Sequence, residues 1–340
     1  MLSGKEVSYT MQRLFNSPED VVNESIIGFV KVHRDIVAHT SCARTLKYKL
    51  APIDGKVGVV SGGGAGHDPA FMGYLGKNML DAVAIGDIFS PPQPEAFYTA
   101  FKEADSGKGV VCIYGNYPED TKSVNEAIEL ARQDGITVVP VVVNEDVADL
   151  NLDTRRGLTG EVLLWKIGAA AAAKKYSLES VVEVSNKALG RMRSIGIGLS
   201  SCTVPEVGHP SYLIEPGTME IGVGHHGFSS KDTCKLRPAS VTADIMLDEI
   251  QKDLALADGE NVAVMVSGLG GTMKCELDIL YSRIFDLLQT CNVNVYRSFV
   301  GNYFTSLDML GVTLTIMRLN NELAELIDLP AYPIGVNGFA

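Results

Sequence analysis

Short runs of β-branched and apolar residues alternate along the chain with longer stretches in which apolar positions recur every three or four residues. That is the pattern of strand, helix and parallel strand in α/β sheets. In the first half VGVV (57–60), AVAI (82–85), GVVCIY (109–114) and TVVPVVV (137–143) predict buried strands. Between them PEAFYTAFKEAD and TKSVNEAIELARQDG predict helices, the second stopped by Gly135. After position 150, TGEVLLWKIGAAAAAKKY and SLESVVEVSNKALGRMRS predict two long helices rich in alanine and leucine, a helical bridge. Beyond Ser194 strand patterns return in SIGIGLS, MEIGVGHH, NVAVMVSG, NVNVYRSFVG and VTLTIMRL, interrupted by the helix KCELDILYSRIFDLLQTC.

A chain of 340 residues is too long for one ordinary core. The expected architecture is therefore two α/β domains with mixed, largely parallel sheets joined by a helical segment. They are expected at residues 1–190 and 191–340, with the boundary near 185–195.

Composition narrows the function. No apolar run approaches the roughly 18 residues of a membrane span, and MLSGKEVSYT lacks the apolar stretch of a secretion signal, so a cytoplasmic protein is expected. The net charge of −12 argues against direct contact with nucleic acid, which is bound largely through cations that replace phosphate counterions. Six cysteines without a CxxC pair fit reduced thiols better than disulfides or a zinc site.

Two apolar strands run into glycine loops, VVSGGGAGHDPAF (59–71) and MVSGLGGT (265–272). Neither has the lysine and hydroxyl of a P-loop. The spacing of a dinucleotide fingerprint fails at His67 in the first and at Met273 in the second, so no nucleotide cofactor is expected. What remains in the first is a strand-end glycine turn presenting His67 and Asp68 at the carboxyl edge of a parallel sheet, where such sheets bind ligands. Two readings stay open there: a histidine capping the next helix, or a small polar ligand under the loop. In MEIGVGHHGF (219–228), alternation along a strand allows at most one of His225 and His226 to face a given pocket.

Taken together, SGGGAGHDP (61–69), GNYPED (115–120) and GVGHHGFSS (222–230) resemble the motifs of the substrate-binding subunit of dihydroxyacetone kinases, the DhaK family. TRRGLTG (154–160), CTVP (202–205) and FTSLDMLG (304–311) extend the resemblance over nearly the whole chain. It implies that His226 forms a reversible hemiaminal with the carbonyl of dihydroxyacetone. It also implies that Gly64 meets the triose through its backbone, that His67 hydrogen-bonds near the reacting carbons, and that Asp120 is the general base of phosphoryl transfer. His225 has no role in that pattern and reads as structural. The nucleotide of such kinases sits on a separate DhaL-type subunit, and the family is typically dimeric.

The sequence departs from the kinase pattern around the site. Gly115 replaces a lysine, Pro118-Glu119-Asp120 replaces a TGD turn, Pro91 replaces a serine, and Phe228, Ser229 and Ser230 follow the histidine motif. These positions form the rim on which a phosphoryl-donating partner docks. Retained capture residues with an altered rim resemble the coactivator branch of the family, DhaQ. The leading expectation is thus a dihydroxyacetone-binding coactivator of a TetR-like regulator, a homodimer without cofactor, and the alternative is the substrate-binding subunit of a phosphotransferase-system-dependent kinase.

Overall fold

The computed structural model describes residues 13–210, 212–226 and 230–339. Two six-stranded sheets carry the fold. The first has the order β1 (Val37–His39), β2 (Thr45–Tyr48), β5 (Ala82–Ile88), β3 (Gly58–Ala65), β6 (Val110–Gly115), β7 (Val138–Val143). Strands β5, β3, β6 and β7 run parallel, and β2 and β1 extend one edge antiparallel. The second has the order β10 (Asp232–Lys235), β9 (Thr218–Ile221), β8 (Met192–Gly198), β13 (Gly311–Leu319), β11 (Asn261–Gly268), β12 (Asn294–Gly301). There β11 and β12 pair parallel, and the other pairings are antiparallel. The mixed α/β architecture is the one expected, with its parallel pairing concentrated in the first sheet.

Alternation along the strands shows that helices cover both faces of each sheet. In β6, Val111 and Ile113 enter a central core while Val110, Cys112 and Tyr114 enter an outer one. In β11, Ala263 and Met265 enter the same central core while Val262, Val264 and Val266 enter a different outer core. Helices α2 (Pro94–Ala104) and α3 (Pro118–Gln133) pack on the outer face of the first sheet. Helices α6 (Ala239–Leu254) and α7 (Lys274–Thr290) do the same on the second.

Between the sheets lie α4 (Gly160–Ala173) and α5 (Leu178–Gly190), with α8 (Asn321–Asp328) against α4. Every residue of α4 from Gly160 to Ala172 is buried, as expected of a helix that is apolar all round. Trp165 lies at its centre, and its indole N–H donates to the Ile113 carbonyl at 3.2 Å. Truncating so large a buried ring to alanine costs roughly 3–5 kcal/mol. No helix among the described residues is long and apolar enough to cross a membrane.

Two contacts link distant parts of the chain. Lys56 and Asp81 form an ion pair with both side chains buried, and Asp81 also accepts the Val59 N–H at 2.8 Å. Near the carboxyl end, β14 (Tyr332–Pro333) pairs antiparallel with β4 (Gly76–Lys77), and the Gly335 N–H donates to the Gly73 carbonyl at 2.7 Å. The remaining helix, α1 (Val21–Val32), buries only Val22 and Ile26.

Candidate functional site

The triple glycine is strand rather than turn. Gly62, Gly63 and Gly64 all belong to β3, and the chain turns only at Gly66, where φ is +97°. Strand β3 carries no side chains here because its neighbours press close. A β-carbon on Gly64 would lie 2.7 Å from the Ser90 nitrogen and 2.9 Å from Phe89 Cα, distances no real side chain tolerates. The expected glycine turn therefore shifts to Gly66, and His67 follows it, buried.

A loop from the second sheet stitches this turn in place. The Thr305 N–H donates to the His67 carbonyl at 3.2 Å, and the Leu307 N–H donates to the Gly66 carbonyl at 2.8 Å. His67 Nδ1 lies 2.7 Å from the Thr305 carbonyl oxygen. A carbonyl only accepts, so Nδ1 carries the proton and Nε2 is left as the acceptor.

The two adjacent histidines overturn the expectation that only one could face the pocket. Strand β9 ends at Ile221, so His225 and His226 are not in a strand, and both line the cavity beside His67. Their ring centres lie 5.7 Å and 5.3 Å from that of His67. His225 stacks on Phe304 at 4.1 Å, with its Nε2 3.2 Å from the Thr159 hydroxyl. Its part is therefore more than the structural one read from the sequence, since its ring forms part of the cavity wall. His226 stands among His67, Phe89 at 5.1 Å and Tyr117 at 5.0 Å. The departures at Phe228 and Ser229 lie outside the described residues.

Burial makes all three imidazoles poor bases. It pushes His226 down to about 4, helped by the Arg156 guanidinium, and His67 down to about 3, helped by His226. His225 falls well below the usual histidine range for the same reason. At neutral pH each ring is uncharged and keeps a lone pair. Arg156, which the sequence reading did not assign, donates to Asp146 Oδ2 at 2.7 Å and to the Gly222 carbonyl at 3.0 Å. It thereby anchors the start of the histidine loop.

Carboxyl groups face the imidazoles across the cavity. Asp120 sits in the first turn of α3, which begins at Pro118, three residues before the predicted helix. Burial, with Glu119 adding repulsion, pushes it up to about 7, and its Oδ1 is buried with no hydrogen-bond partner. Glu161, in the first turn of α4, is also buried, and its Oε2 is equally unpartnered. Burial raises its pKa well above the usual carboxyl range, with Glu145 and Asp120 adding to the rise. A helix N-terminus favours the anion by only about 0.3–1 kcal/mol, too little to reverse the desolvation. An acidic residue in a first helical turn is common enough that the sequence reading passed over Glu161. Its one distinguishing signal is an otherwise apolar stretch after it. Among the described residues no cluster of histidine, cysteine or acidic groups is placed to hold a metal ion.

All four residues that the resemblance singled out, Gly64, His67, Asp120 and His226, line one tight cavity of about 30 Å³, well below the size of drug-sized ligand sites. The cavity opens at the carboxyl ends of β3 and β6, as expected for a parallel sheet.

Known proteins are similar to this chain over almost its whole length. The dihydroxyacetone-binding subunit DhaK of PTS-dependent dihydroxyacetone kinase 2 from Listeria innocua is 36% identical over 322 residues, which is 94% of this chain and 97% of that one. The structure of the dihydroxyacetone kinase operon co-activator Dha-DhaQ superposes with a TM-score of 0.86 at 27% identity, covering 92% of this chain and 97% of that one. The C. freundii dihydroxyacetone kinase in complex with AMP-PNP and Mg2+ superposes at 0.88 with 27% identity, covering 95% of this chain and 60% of that one. The model of the Dak1 domain matches residues 27–334, a span that takes in both sheets and every residue of the cavity, and the chain belongs to the Dak1 domain family.

Proposed function

We propose that the chain captures dihydroxyacetone as a reversible hemiaminal on His226. The observation that carries this reading is the convergence of uncharged His67 and His226 with Asp120 on one glycine-walled cavity. An imidazole lone pair attacks the carbonyl carbon and a C–N bond forms. The π pair of the carbonyl moves to its oxygen, which takes up the proton the imidazole gives up, so the adduct contains every atom of both partners. His67 Nε2 can accept from a ligand hydroxyl, and the Gly64 backbone lets the ketone lie close. Glycerol has similar hydroxyls but no electrophilic carbon.

Two couplings of capture to a partner are each favoured by an observation. The altered rim at Pro118 and Glu119, with the likeness to a co-activator structure, favours coactivation of a TetR-like regulator. An acidic protein acts there by preferring one conformation of the regulator. The free, buried oxygen of Asp120 and its pKa near neutrality favour the kinase alternative. In that reading Asp120 takes the proton of the hydroxyl that receives a phosphoryl group from a nucleotide-bearing DhaL-type subunit. A homodimer in the cytoplasm fits both.

Intact-mass measurement with dihydroxyacetone, followed by an assay with DhaL-type and phosphocarrier subunits, tests the reading. An adduct that is never phosphorylated selects the regulator, and an adduct turned over to triose phosphate selects the kinase. The absence of any adduct refutes capture.

A further inference from the structure

We propose that Glu161 is a specificity-determining residue of this cavity, its carboxyl group hydrogen-bonding a hydroxyl of the captured hydroxyketone and fitting the site to uncharged ligands. This inference rests on the capture reading above and adds to it a residue that the DhaK resemblance does not assign.

The carboxyl has a place built for it. A β-carbon on Gly157 would lie 2.7 Å from Glu161 Oε1, and one on Gly115 would collide with the same oxygen. Both positions must stay bare for the carboxyl to reach the cavity. Gly115 is also the position where the kinase pattern has a lysine, and any side chain there would compete with Glu161 for the same space. The glycine at this position therefore leaves open the space that the Glu161 carboxyl fills.

One oxygen of the carboxyl is also unspent. Glu145, its buried neighbour, accepts from the Leu158 and Gly160 N–H groups and from the Ser194 hydroxyl, all at about 3 Å, and so holds the start of α4. Glu161 Oε2 has no partner in the protein although it is buried. Leaving such a group unsatisfied is costly, a cost that a ligand hydroxyl removes.

The charges around it favour a neutral guest. The groups facing Glu161 are Gly115 at the end of β6, Tyr117 and Asp120 at the start of α3, Glu145 beyond β7, and the imidazoles of His225 and His226. Among the described residues no lysine or arginine lines the cavity, and Arg156, the cation close enough to act on His226 and Tyr117, is ion-paired with Asp146. Burial and mutual repulsion hold Glu161 protonated, which gives it one donor and one acceptor. A polyhydroxy ketone matches that surface, whereas a phosphorylated ketone would bring a dianion to a wall of carboxyl groups and neutral imidazoles beside which Arg156 is already paired with Asp146.

Calorimetric titration with dihydroxyacetone, alongside intact mass, tests the proposal on the full chain and on three variants. Glu161→Leu and Gly115→Ala, the second of which displaces the carboxyl, should each weaken binding about tenfold. Glu161→Gln, which keeps a donor and an acceptor, should recover most of that loss. Unliganded Glu161→Leu should melt no lower than the parent protein, an outcome that a purely structural role for Glu161 would not give. Dihydroxyacetone phosphate should bind at least tenfold more weakly than dihydroxyacetone. Parent-like affinity in Glu161→Leu, or in Gly115→Ala should the leucine variant not fold, overturns the role of Glu161 while a parent adduct leaves capture standing. Equal affinity for the phosphorylated ketone overturns it too. A parent protein that neither binds the ketone nor gains its mass overturns both readings together.

Discussion

The imidazole rings of His67 and His226 lie 5.3 Å apart, centre to centre, although one follows a strand of the first sheet and the other a strand of the second. Burial, with His226 adding to the cost of charging His67 and Arg156 to that of charging His226, keeps the pair neutral where a free histidine is partly protonated. His226→Ala should abolish a ketone-dependent mass increase without changing the far-ultraviolet circular dichroism spectrum. Adduct formation by the parent protein should be flat from about pH 8 to pH 5 and fall near pH 4, where His226 takes a proton. A titration that follows the ordinary histidine range would contradict this burial argument.

Asp120 carries a stability cost with a definite sign. Its unfolded form ionises near pH 3.8 and its folded form near 7. Between those values the folded state binds the extra proton, so this group makes stability fall as pH rises. Asp120→Asn should therefore be more stable than the parent at pH 8, by about 4 kcal/mol, with little difference at pH 4. Urea titrations at the two pH values measure it. If the chain supports phosphoryl transfer, the same variant should lose turnover, and the parent rate should rise through about pH 7.

Glycines make opposite predictions at two sites. Gly62 has the Ala84 carbonyl 2.5 Å from where a β-carbon would sit, so Gly62→Ala should force β3 from β5 at a cost of about 1–3 kcal/mol. Gly28, in α1, has nothing within 4 Å. Gly28→Ala should stabilise by about 0.5–1 kcal/mol. Chemical denaturation of the two variants side by side tests both signs.

The buried pair of Lys56 and Asp81 predicts a non-additive cycle. Lys56→Met alone leaves an uncompensated carboxylate and should cost about 3–5 kcal/mol. Adding Asp81→Asn should restore part of that loss, because the remaining amide is neutral. Additive losses in thermal unfolding would show that the two groups are not coupled.

The sequence reading reached the sheet cores more fully than the site. Strands such as GVVCIY are apolar on both faces because helices cover both, and that leaves a continuous run that pattern alone detects. The helix α6, in contrast, has Ser240-Val241-Thr242 in its first turn, residues with weak helical preference, and its formation is decided by packing on β8 and β13. The error at the histidine pair has a local cause. Gly222 adopts φ of +81°, which breaks the strand one residue after Ile221 and removes the alternation on which the one-face argument stood. His67 was marked by its place after a glycine loop at the carboxyl end of a strand, and Asp120 through motif resemblance. Glu161 was missed because its meaning depends on Gly115 and Gly157, which are distant in sequence from each other and bare of any side chain to mark them.

The stitching of Gly66 and His67 to Leu307 and Thr305, with β14 laid against β4, has a consequence for biosynthesis. Residues near position 70 leave the ribosome long before those beyond 305, at a pace of roughly 5–20 residues per second. The nascent first sheet must wait with its glycine-rich edge uncovered and β4 unpaired. Binding competence therefore arrives as a late event of translation, and a chaperone that shelters this edge would act on the stalled first half rather than on the finished protein.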